Sequence, residues 1–171
     1  MNNSVFPEVK KNFGFGCMRF PMKGEEVDFE HVNQMIDTFI ENGFNYFDTA
    51  HGYLAGKSET ALKSCLVDKY PREDYVFANK LSAWLFEKEE DVLPLFEEQL
   101  KCCGLDYFDV YLLHAQNTKN YKKCKETNAY KIINDLKSQG KIKHFGISFH
   151  DTAEVLDKIL NENPEIELVQ L

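Results

Sequence analysis

The residues best suited to chemistry are an acid, a lysine, a tyrosine and a histidine in three short segments of the chain. Asp48, Lys80 and His114 each stand at the end of an apolar run that is typical of a strand, and Tyr53 follows Asp48 by five positions. Where parallel strands alternate with helices, side chains at the carboxyl ends of the strands meet on one face. We therefore expect these four side chains to share one site.

Asp48 and Lys80 are predicted to pair across neighbouring strands. A half-buried carboxylate is unfavourable unless it meets a cation or several hydrogen-bond donors. Lys80 ends the next strand along the chain, and adjacent strands lie about 4.8 Å apart, so the two side chains are within reach. Taken alone, the pair also has a structural interpretation, in which it only joins two strand ends.

Tyr53 and His114 would give this pair a chemical purpose. An ammonium group beside a phenol favours the phenolate, so Lys80 would make Tyr53 a better proton donor to a carbonyl oxygen. His114 would hydrogen-bond the same oxygen and orient the molecule that carries it. Alone, these side chains could be a loop tyrosine and a core histidine. The occurrence of all four residues at strand ends favours a catalytic site.

A repeated strand–helix unit positions these residues. Strands are predicted over residues 13–18, 44–47, 75–80, 108–113, 142–148 and 167–171. Helices are predicted between them over residues 29–40, from Ser58 onward, and over 89–103, 129–138 and 152–161. This alternation indicates right-handed βαβ units and a parallel sheet. We predict an α/β fold of the TIM-barrel (β/α)8 type, present in part, as a single incomplete domain over residues 1–171.

Composition and charge argue against several classes of function. The formal net charge is −8 and the pI is about 5.2, which gives no general attraction to nucleic acid or to an anionic membrane. No apolar run approaches the ~20 residues that span a bilayer, and the N-terminus lacks the apolar core of a signal peptide. The five cysteines include no CxxC pair, so we expect reduced thiols, a cytoplasmic location and no metal site.

Seven short motifs occur in order along nearly the whole chain. They are Gly14-Phe15-Gly16-Cys17-Met18-Arg19, Phe47-Asp48-Thr49-Ala50-His51-Gly52-Tyr53, Ser58-Glu59, Asn79-Lys80, Leu105-Asp106-Tyr107-Phe108-Asp109, Leu112-Leu113-His114 and Gly146-Ile147-Ser148. Together they resemble the aldo-keto reductase superfamily. The resemblance implies a TIM barrel that reduces small-molecule aldehydes or ketones with NADPH, with NADH as the alternative. It implies a catalytic tetrad of Asp48, Tyr53, Lys80 and His114, in which Tyr53 donates the proton.

The resemblance also suggests cofactor contacts. Ser148 and Gln170 match positions that hold the nicotinamide carboxamide, although Phe149 stands where the family usually has Asn. A complete barrel takes about 250 residues, and its phosphate site is commonly built by the loops after the last two strands. We expect about five and a half to six β/α units here, and therefore weak NADPH binding and impaired turnover. An unpaired edge at the sixth strand would favour self-association.

Two other functions compete with this interpretation. The chain could be a non-catalytic barrel fragment or pseudoenzyme that keeps the shape of the site and serves as an interaction module. Alternatively, a metal-dependent hydrolase could use Asp48, His51, His114 and His150 as ligands. That alternative lacks the HxH pair such sites often use at the first strand, and it leaves Lys80 without a purpose.

Two further interpretations concern local structure around the site. The segment 52–58 resembles a phosphate-binding loop, but it has three residues between its glycines where four are needed. We therefore interpret Ser58 as a helix N-cap. Trp84, four residues after Lys80, is a candidate either for the wall of a substrate pocket or for the core.

Overall fold

Short strands alternate with helices throughout residues 6–171, the part of the chain that the computed structural model describes. The strands are β1 (Gly14–Gly16), β2 (Met22–Lys23), β3 (Glu26–Val27), β4 (Tyr46–Asp48), β5 (Val76–Ser82), β6 (Phe108–Gln116), β7 (Ile142–Phe149) and β8 (Leu168–Gln170). The α-helices are α1 (Phe29–Glu41), α2 (Lys57–Leu62), α3 (Glu89–Cys103), α4 (Thr118–Glu126), α5 (Ala129–Ser138) and α6 (Ala153–Glu162). A π-helical segment, Lys63–Val67, continues α2.

Six strands form one parallel sheet in the order β1-β4-β5-β6-β7-β8. The other two, β2 and β3, form an antiparallel hairpin between β1 and α1. Consecutive parallel strands with a helical connection between them are the βαβ unit that the sequence predicts. The prediction of a parallel sheet of partial barrel type is therefore confirmed.

The sheet curves into a half-barrel. β8 lies four strands from β4, a separation of about 19 Å in a flat sheet. Gln170 Nε2 on β8 nevertheless lies 3.5 Å from Asp48 Oδ2 on β4, so the carboxyl ends of the strands converge. The small apolar core of the concave side consists of Val76, Ala78, Val110 and Leu112.

The helices cover the convex side of the sheet and enclose the main core. Because successive side chains of a strand point to opposite faces, Phe77 and Tyr111 face this layer while their neighbours face the concave side. The ring of Phe96 on α3 packs edge-on against Tyr111, with centroids 5.1 Å apart. Within the described part of the chain, none of the helices has the length and apolarity needed to cross a membrane.

The observed bounds differ from the predicted ones mainly at strand ends. Helices α3 and α5 match the prediction, and α3 ends at Gly104, whose φ of 69° is left-handed. Strands β5 and β6 extend further than predicted, to Ser82 and Gln116, so Lys80 and His114 lie inside strands rather than at their ends. β1 is shorter than the predicted strand because Cys17–Arg19 turns into a 3-10 helix.

The start of the described chain crosses the amino end of the sheet and is held there by His144. One ring nitrogen of His144, Nε2, lies 2.6 Å from the Glu8 carboxylate. The other, Nδ1, lies 2.8 Å from the carboxylate of Glu167. The ring of Phe6 packs edge-on against the imidazole, with centroids 4.6 Å apart. These contacts join β7 to the chain that precedes β1.

A second charged cluster at the amino end surrounds Asp109. Its side chain is 2 % exposed and accepts hydrogen bonds from Arg72 at 2.5 Å, from the Phe77 backbone N–H at 2.8 Å and from Lys143 at 2.8 Å. The Arg72 guanidinium also lies 4.1 Å from the ring centroid of Tyr107. Asp109 therefore links β6 to β5 and to the entry of β7.

Candidate active site

The four residues predicted to act together gather at the carboxyl end of the sheet. Asp48 is the last residue of β4, Lys80 lies in β5 and His114 in β6. Tyr53 begins a short 3-10 turn after β4, and its backbone N–H donates to the carbonyl of Ala50 at 3.0 Å. Neighbouring parallel strands and one short turn thus bring these side chains to one place.

Lys80 is the centre of this group. Its side chain is 2 % exposed, and its Nζ donates to Asp48 Oδ1 at 2.6 Å, to the carbonyl of Thr49 at 2.8 Å and to the hydroxyl of Tyr53 at 3.1 Å. An ammonium group has three N–H donors, so all are used. The Asp48 carboxylate supplies the countercharge that a buried ammonium needs. The positive charge consequently acts directly on the phenol oxygen.

His114 completes the group from the other side of Tyr53. The two rings meet edge to face with centroids 5.8 Å apart, and the ring of Trp84 lies 5.0 Å from that of His114. Burial, then the charge of Lys80 and then that of His150, lowers the pKa of His114 to about 4. His114 is therefore a neutral imidazole near pH 7. Trp84 is 52 % exposed, so it borders the site instead of filling the core.

The backbone after Tyr53 is held in an uncommon conformation. Leu54 and Ala55 have φ angles of 53° and 54°, and Gly56 follows with 88°. Left-handed backbone costs roughly 1–2 kcal/mol for each residue that has a side chain. Such strain is typical of sites whose geometry the surrounding structure imposes. The turn that carries Tyr53 is therefore a strained segment.

Ser58 and Glu59 have roles that differ from the predicted ones. The N-cap of α2 is Gly56, so the prediction that Ser58 caps the helix is wrong. The Ser58 hydroxyl is instead buried and donates to the carbonyl of Cys17 at 2.8 Å, while lying 2.8 Å from the hydroxyl of Thr49. Ser58 and Glu59 are both buried, so the Ser58 hydroxyl forms hydrogen bonds with tertiary partners instead of capping the helix.

Glu59 is a fully buried carboxylate behind the site. It accepts a hydrogen bond from the Asn79 amide at 2.7 Å and lies 2.6 Å from His51 Nδ1. Asn79 in turn accepts from the backbone N–H of Lys80 at 2.8 Å, and Gln99 donates to the Lys80 carbonyl at 3.0 Å. Glu59 thus connects the turn of Tyr53 to the strand of Lys80. The hydrogen bond to Glu59 raises the pKa of His51.

The two residues assigned to cofactor contacts are register partners on β7 and β8. Ser148 is 4 % exposed, and its Oγ accepts a hydrogen bond from the Ala115 backbone N–H at 2.7 Å. Gln170 is exposed, and its amide lies 3.5 Å from Asp48. Both stand at the same edge of the sheet as the four central residues. Their contact with a cofactor stays a prediction.

The metal-site alternative has no counterpart in the described structure. Among residues 6–171, no group of three or more His, Cys, Asp or Glu side chains is arranged to hold a metal ion. His51 is paired with Glu59, and His114 with Ser82. The four ligands proposed for a hydrolase therefore do not form one cluster.

Comparison with known proteins finds relatives that are named as reductases. The chain is 31% identical to the NADH-specific methylglyoxal reductase of Escherichia coli over 156 residues, which cover 79% of this chain and 46% of that protein. It is 30% identical to rhazimal reductase 2 of Alstonia scholaris over 186 residues, which cover 94% of this chain and 54% of that protein. It therefore spans about half the length of these curated relatives.

Solved structures agree with this relationship. The holo form of an aldo-keto reductase from Bacillus halodurans superimposes with a TM-score of 0.74 at 25% identity, over 92% of this chain and 51% of that one. An aldo-keto reductase from Klebsiella pneumoniae in complex with NADPH superimposes with a TM-score of 0.74 at 22% identity, over 92% of this chain and 52% of that one. The profile of the aldo/keto reductase family matches residues 12–171. The chain belongs to the aldo/keto reductase family.

Proposed function

We propose that this chain carries the catalytic residues of an oxidoreductase that reduces aldehydes or ketones to alcohols with NADPH. The observation that supports it best is the position of Lys80 Nζ, 2.6 Å from Asp48 and 3.1 Å from the Tyr53 hydroxyl. Relatives named as reductases, and a structural neighbour in complex with NADPH, support the reaction class.

In this proposal Tyr53 is the proton donor. Reduction adds a hydride to the carbonyl carbon and a proton to the carbonyl oxygen, so the C=O double bond becomes C–O–H. The Tyr53 O–H bond breaks as the new O–H bond forms, and the phenolate that remains is stabilised by the ammonium of Lys80. Asp48 keeps Lys80 charged and fixed in place.

His114 binds the same carbonyl oxygen as a neutral hydrogen-bond donor. Its lowered pKa keeps the imidazole uncharged near neutral pH, so it orients the carbonyl without giving up a proton of its own. Trp84 would form one wall of the substrate pocket, since its ring is exposed beside His114. These two side chains would place the carbonyl next to the Tyr53 hydroxyl.

The cofactor supplies the hydride when it is bound. Ser148 and Gln170 fit the role of holding its carboxamide, because both stand next to each other at the carboxyl end of the sheet. Ser148 accepts one hydrogen bond from Ala115 and still has its O–H to donate to a carboxamide oxygen. NADH is the alternative cofactor, as the name of the Escherichia coli relative suggests.

Two statements about this chain stay predictions. The first is that turnover and NADPH binding by the 171-residue chain are weak. The second is self-association through the outer edge of β8, which has no strand partner among the described residues. Fluorescence titration with NADPH and sedimentation equilibrium measure the two properties separately.

The central experiment follows NADPH oxidation by the purified chain with an aromatic aldehyde, comparing the natural sequence with Tyr53→Phe. Because general acid catalysis typically contributes 10²–10⁴-fold, we expect kcat to fall by at least about 100-fold. NADPH binding should be unchanged, since the hydroxyl is removed and the ring stays.

Tyr107→Phe is the matched control, because Tyr107 lies at the amino end of the sheet and keeps its ring over Arg72. It should leave kcat unaltered. Equal turnover by Tyr53→Phe and the natural chain would refute the assigned proton donor. NADPH binding with no turnover by either would favour the non-catalytic alternative.

A further inference from the structure

Ser82 is a buried serine at the carboxyl end of β5 that none of the sequence motifs includes. In the register of the sheet it lies directly opposite His114 on β6. Its hydroxyl oxygen is 2.7 Å from His114 Nδ1, and its exposed fraction is 0%. The strand extends two residues beyond Lys80, which is what brings this hydroxyl to the imidazole.

The donors and acceptors present decide the direction of this hydrogen bond. Among residues 6–171, His114 Nδ1 is the only hydrogen-bond partner of Ser82 Oγ. If Nδ1 donated its hydrogen to Oγ, the O–H of Ser82 would be buried without an acceptor, which is unfavourable. If Ser82 donates to Nδ1, both atoms are satisfied. The second arrangement is therefore favoured.

The direction of this bond fixes the other ring nitrogen. A neutral imidazole carries one hydrogen, so a hydrogen-free Nδ1 requires the hydrogen to be on Nε2. Burial keeps the ring neutral, since it lowers the pKa of His114 to about 4. No described residue forms a hydrogen bond with Nε2, and the ring lies beside Tyr53 and Trp84. Nε2–H is thus available on the side of the proposed substrate.

We propose that Ser82 is a positioning residue whose hydroxyl holds His114 in the Nε2–H tautomer and so directs one N–H donor toward the carbonyl oxygen. The identity of that acceptor rests on the proposed function. The tautomer itself does not, because it depends only on the contact between Ser82 and His114.

The test is long-range ¹H–¹⁵N NMR of the labelled 171-residue chain near neutral pH, with the His114 signals assigned from a His114→Gln variant. We expect a single tautomer with hydrogen on Nε2 and a hydrogen-bonded, unprotonated Nδ1. In Ser82→Ala the Nδ1 resonance should move and the two nitrogens should approach tautomeric averaging. Hydrogen on Nδ1 in the natural chain, or unchanged resonances in Ser82→Ala, would overturn the proposal.

A kinetic measurement separates positioning from general destabilisation. Ser82→Ala should lower kcat/KM for the aldehyde about tenfold, the factor that ~1.4 kcal/mol of lost transition-state stabilisation produces. Ser82→Thr keeps the hydroxyl and should restore both the NMR pattern and most of the rate. Ser138→Ala, at an exposed serine of α5, is the matched control and should change neither.

The two proposals fail in different ways. If the natural chain shows no carbonyl reduction, the proposed function is refuted for it, and the NMR pattern alone decides the role of Ser82. If carbonyl reduction is detected and Ser82→Ala keeps both the rate and the tautomer, the role of Ser82 is refuted while the proposed function stands.

Discussion

Buried charged side chains lie at both ends of the sheet, with Asp109 of β6 at the amino end and Asp48 of β4 and Lys80 of β5 at the carboxyl end. At the amino end, Asp109 is surrounded by Arg72, Lys143 and a backbone N–H. At the carboxyl end, Lys80 is bound to Asp48, and its third donor reaches the hydroxyl of Tyr53. The first cluster is closed within the protein. The second contains a phenol and an imidazole, and Nε2 of that imidazole has no hydrogen-bond partner among the described residues.

This difference shows that ionisable residues alone do not identify a catalytic site. The amino end contains an acid, an arginine, a lysine and, in His144, an imidazole between two carboxylates. Each of these groups is paired within the chain, and Arg72 Nε, which has no hydrogen-bond partner among the described residues, is buried. At the carboxyl end, Nε2 of His114 has no such partner among the described residues, and Trp84 beside it is exposed. Unused hydrogen-bonding capacity that is not enclosed by the protein distinguishes the carboxyl end from the amino end.

The largest effect is expected from Lys80→Met. This change leaves the Asp48 carboxylate buried without its cation, so the free energy of unfolding should fall by about 3–5 kcal/mol. Carbonyl reduction should become undetectable. Urea unfolding and the NADPH oxidation assay measure the two losses.

The double variant Asp48→Asn with Lys80→Met separates stability from chemistry. It removes both charges, so most of the lost stability should return while activity stays absent. A double variant as unstable as Lys80→Met would show that packing of the lysine, and not the unpaired charge, causes the destabilisation.

A smaller effect is expected at the amino end from Asp109→Asn. The amide loses charge-assisted hydrogen bonds from Arg72 and Lys143, so unfolding should become easier by about 2–3 kcal/mol. Because these groups lie at the other end of the sheet, kcat of the folded protein should not change. Asp135→Asn, in an exposed pair with Lys131, is the control and should cost about 0.5 kcal/mol or less. A fall in kcat with Asp109→Asn would contradict the division between the two ends.

The smallest effect concerns pH. The contact with Glu59 raises the pKa of His51 above its usual value near 6.5. A group whose pKa is raised by folding adds stability that is complete below its unfolded pKa and is lost as the pH rises through the folded pKa. Stability should therefore decline in the range just above pH 6.5. Urea unfolding at several pH values, with and without His51→Gln, measures this contribution.

The control for the pH experiment is the exposed His31, replaced by Gln. This variant should keep the decline seen in the natural chain, whereas His51→Gln should flatten it. The same decline in all three proteins would mean that another group is responsible.

Much of the fold could be predicted because local signals agree with the tertiary structure. The Gly104 that ends α3 and the alternation of apolar strands with amphipathic helices gave the element order and the parallel sheet. Strand ends were less predictable, since pairing with a neighbour extends β5 to Ser82 and β6 to Gln116 regardless of composition. The hairpin Met22–Val27 has only four strand residues, too few for a pattern to be seen.

The central residues of the site were predictable because Asp48, Lys80 and His114 each end a recognisable apolar run and Tyr53 follows Asp48 closely. The supporting residues were not. A serine before a helix is usually a cap, but Ser58 is buried among tertiary partners. Ser82 gains its partner only through the register between β5 and β6, which sequence alone does not specify. Glu59 belongs to a motif in the sequence, but only the three-dimensional structure shows it contacting His51 and Asn79.

The residues with positive φ after Tyr53 limit how this protein can be made more thermostable. Glycine tolerates positive φ, so replacing the exposed Ala55 with glycine would relax the backbone, whereas replacing Leu54 would also remove its packing against the main core. A more flexible turn would also weaken the contact between the Tyr53 hydroxyl and Lys80 Nζ. Selection for heat resistance would therefore disturb the position of Tyr53 beside Lys80, and mutant libraries should leave Leu54 and Ala55 unchanged.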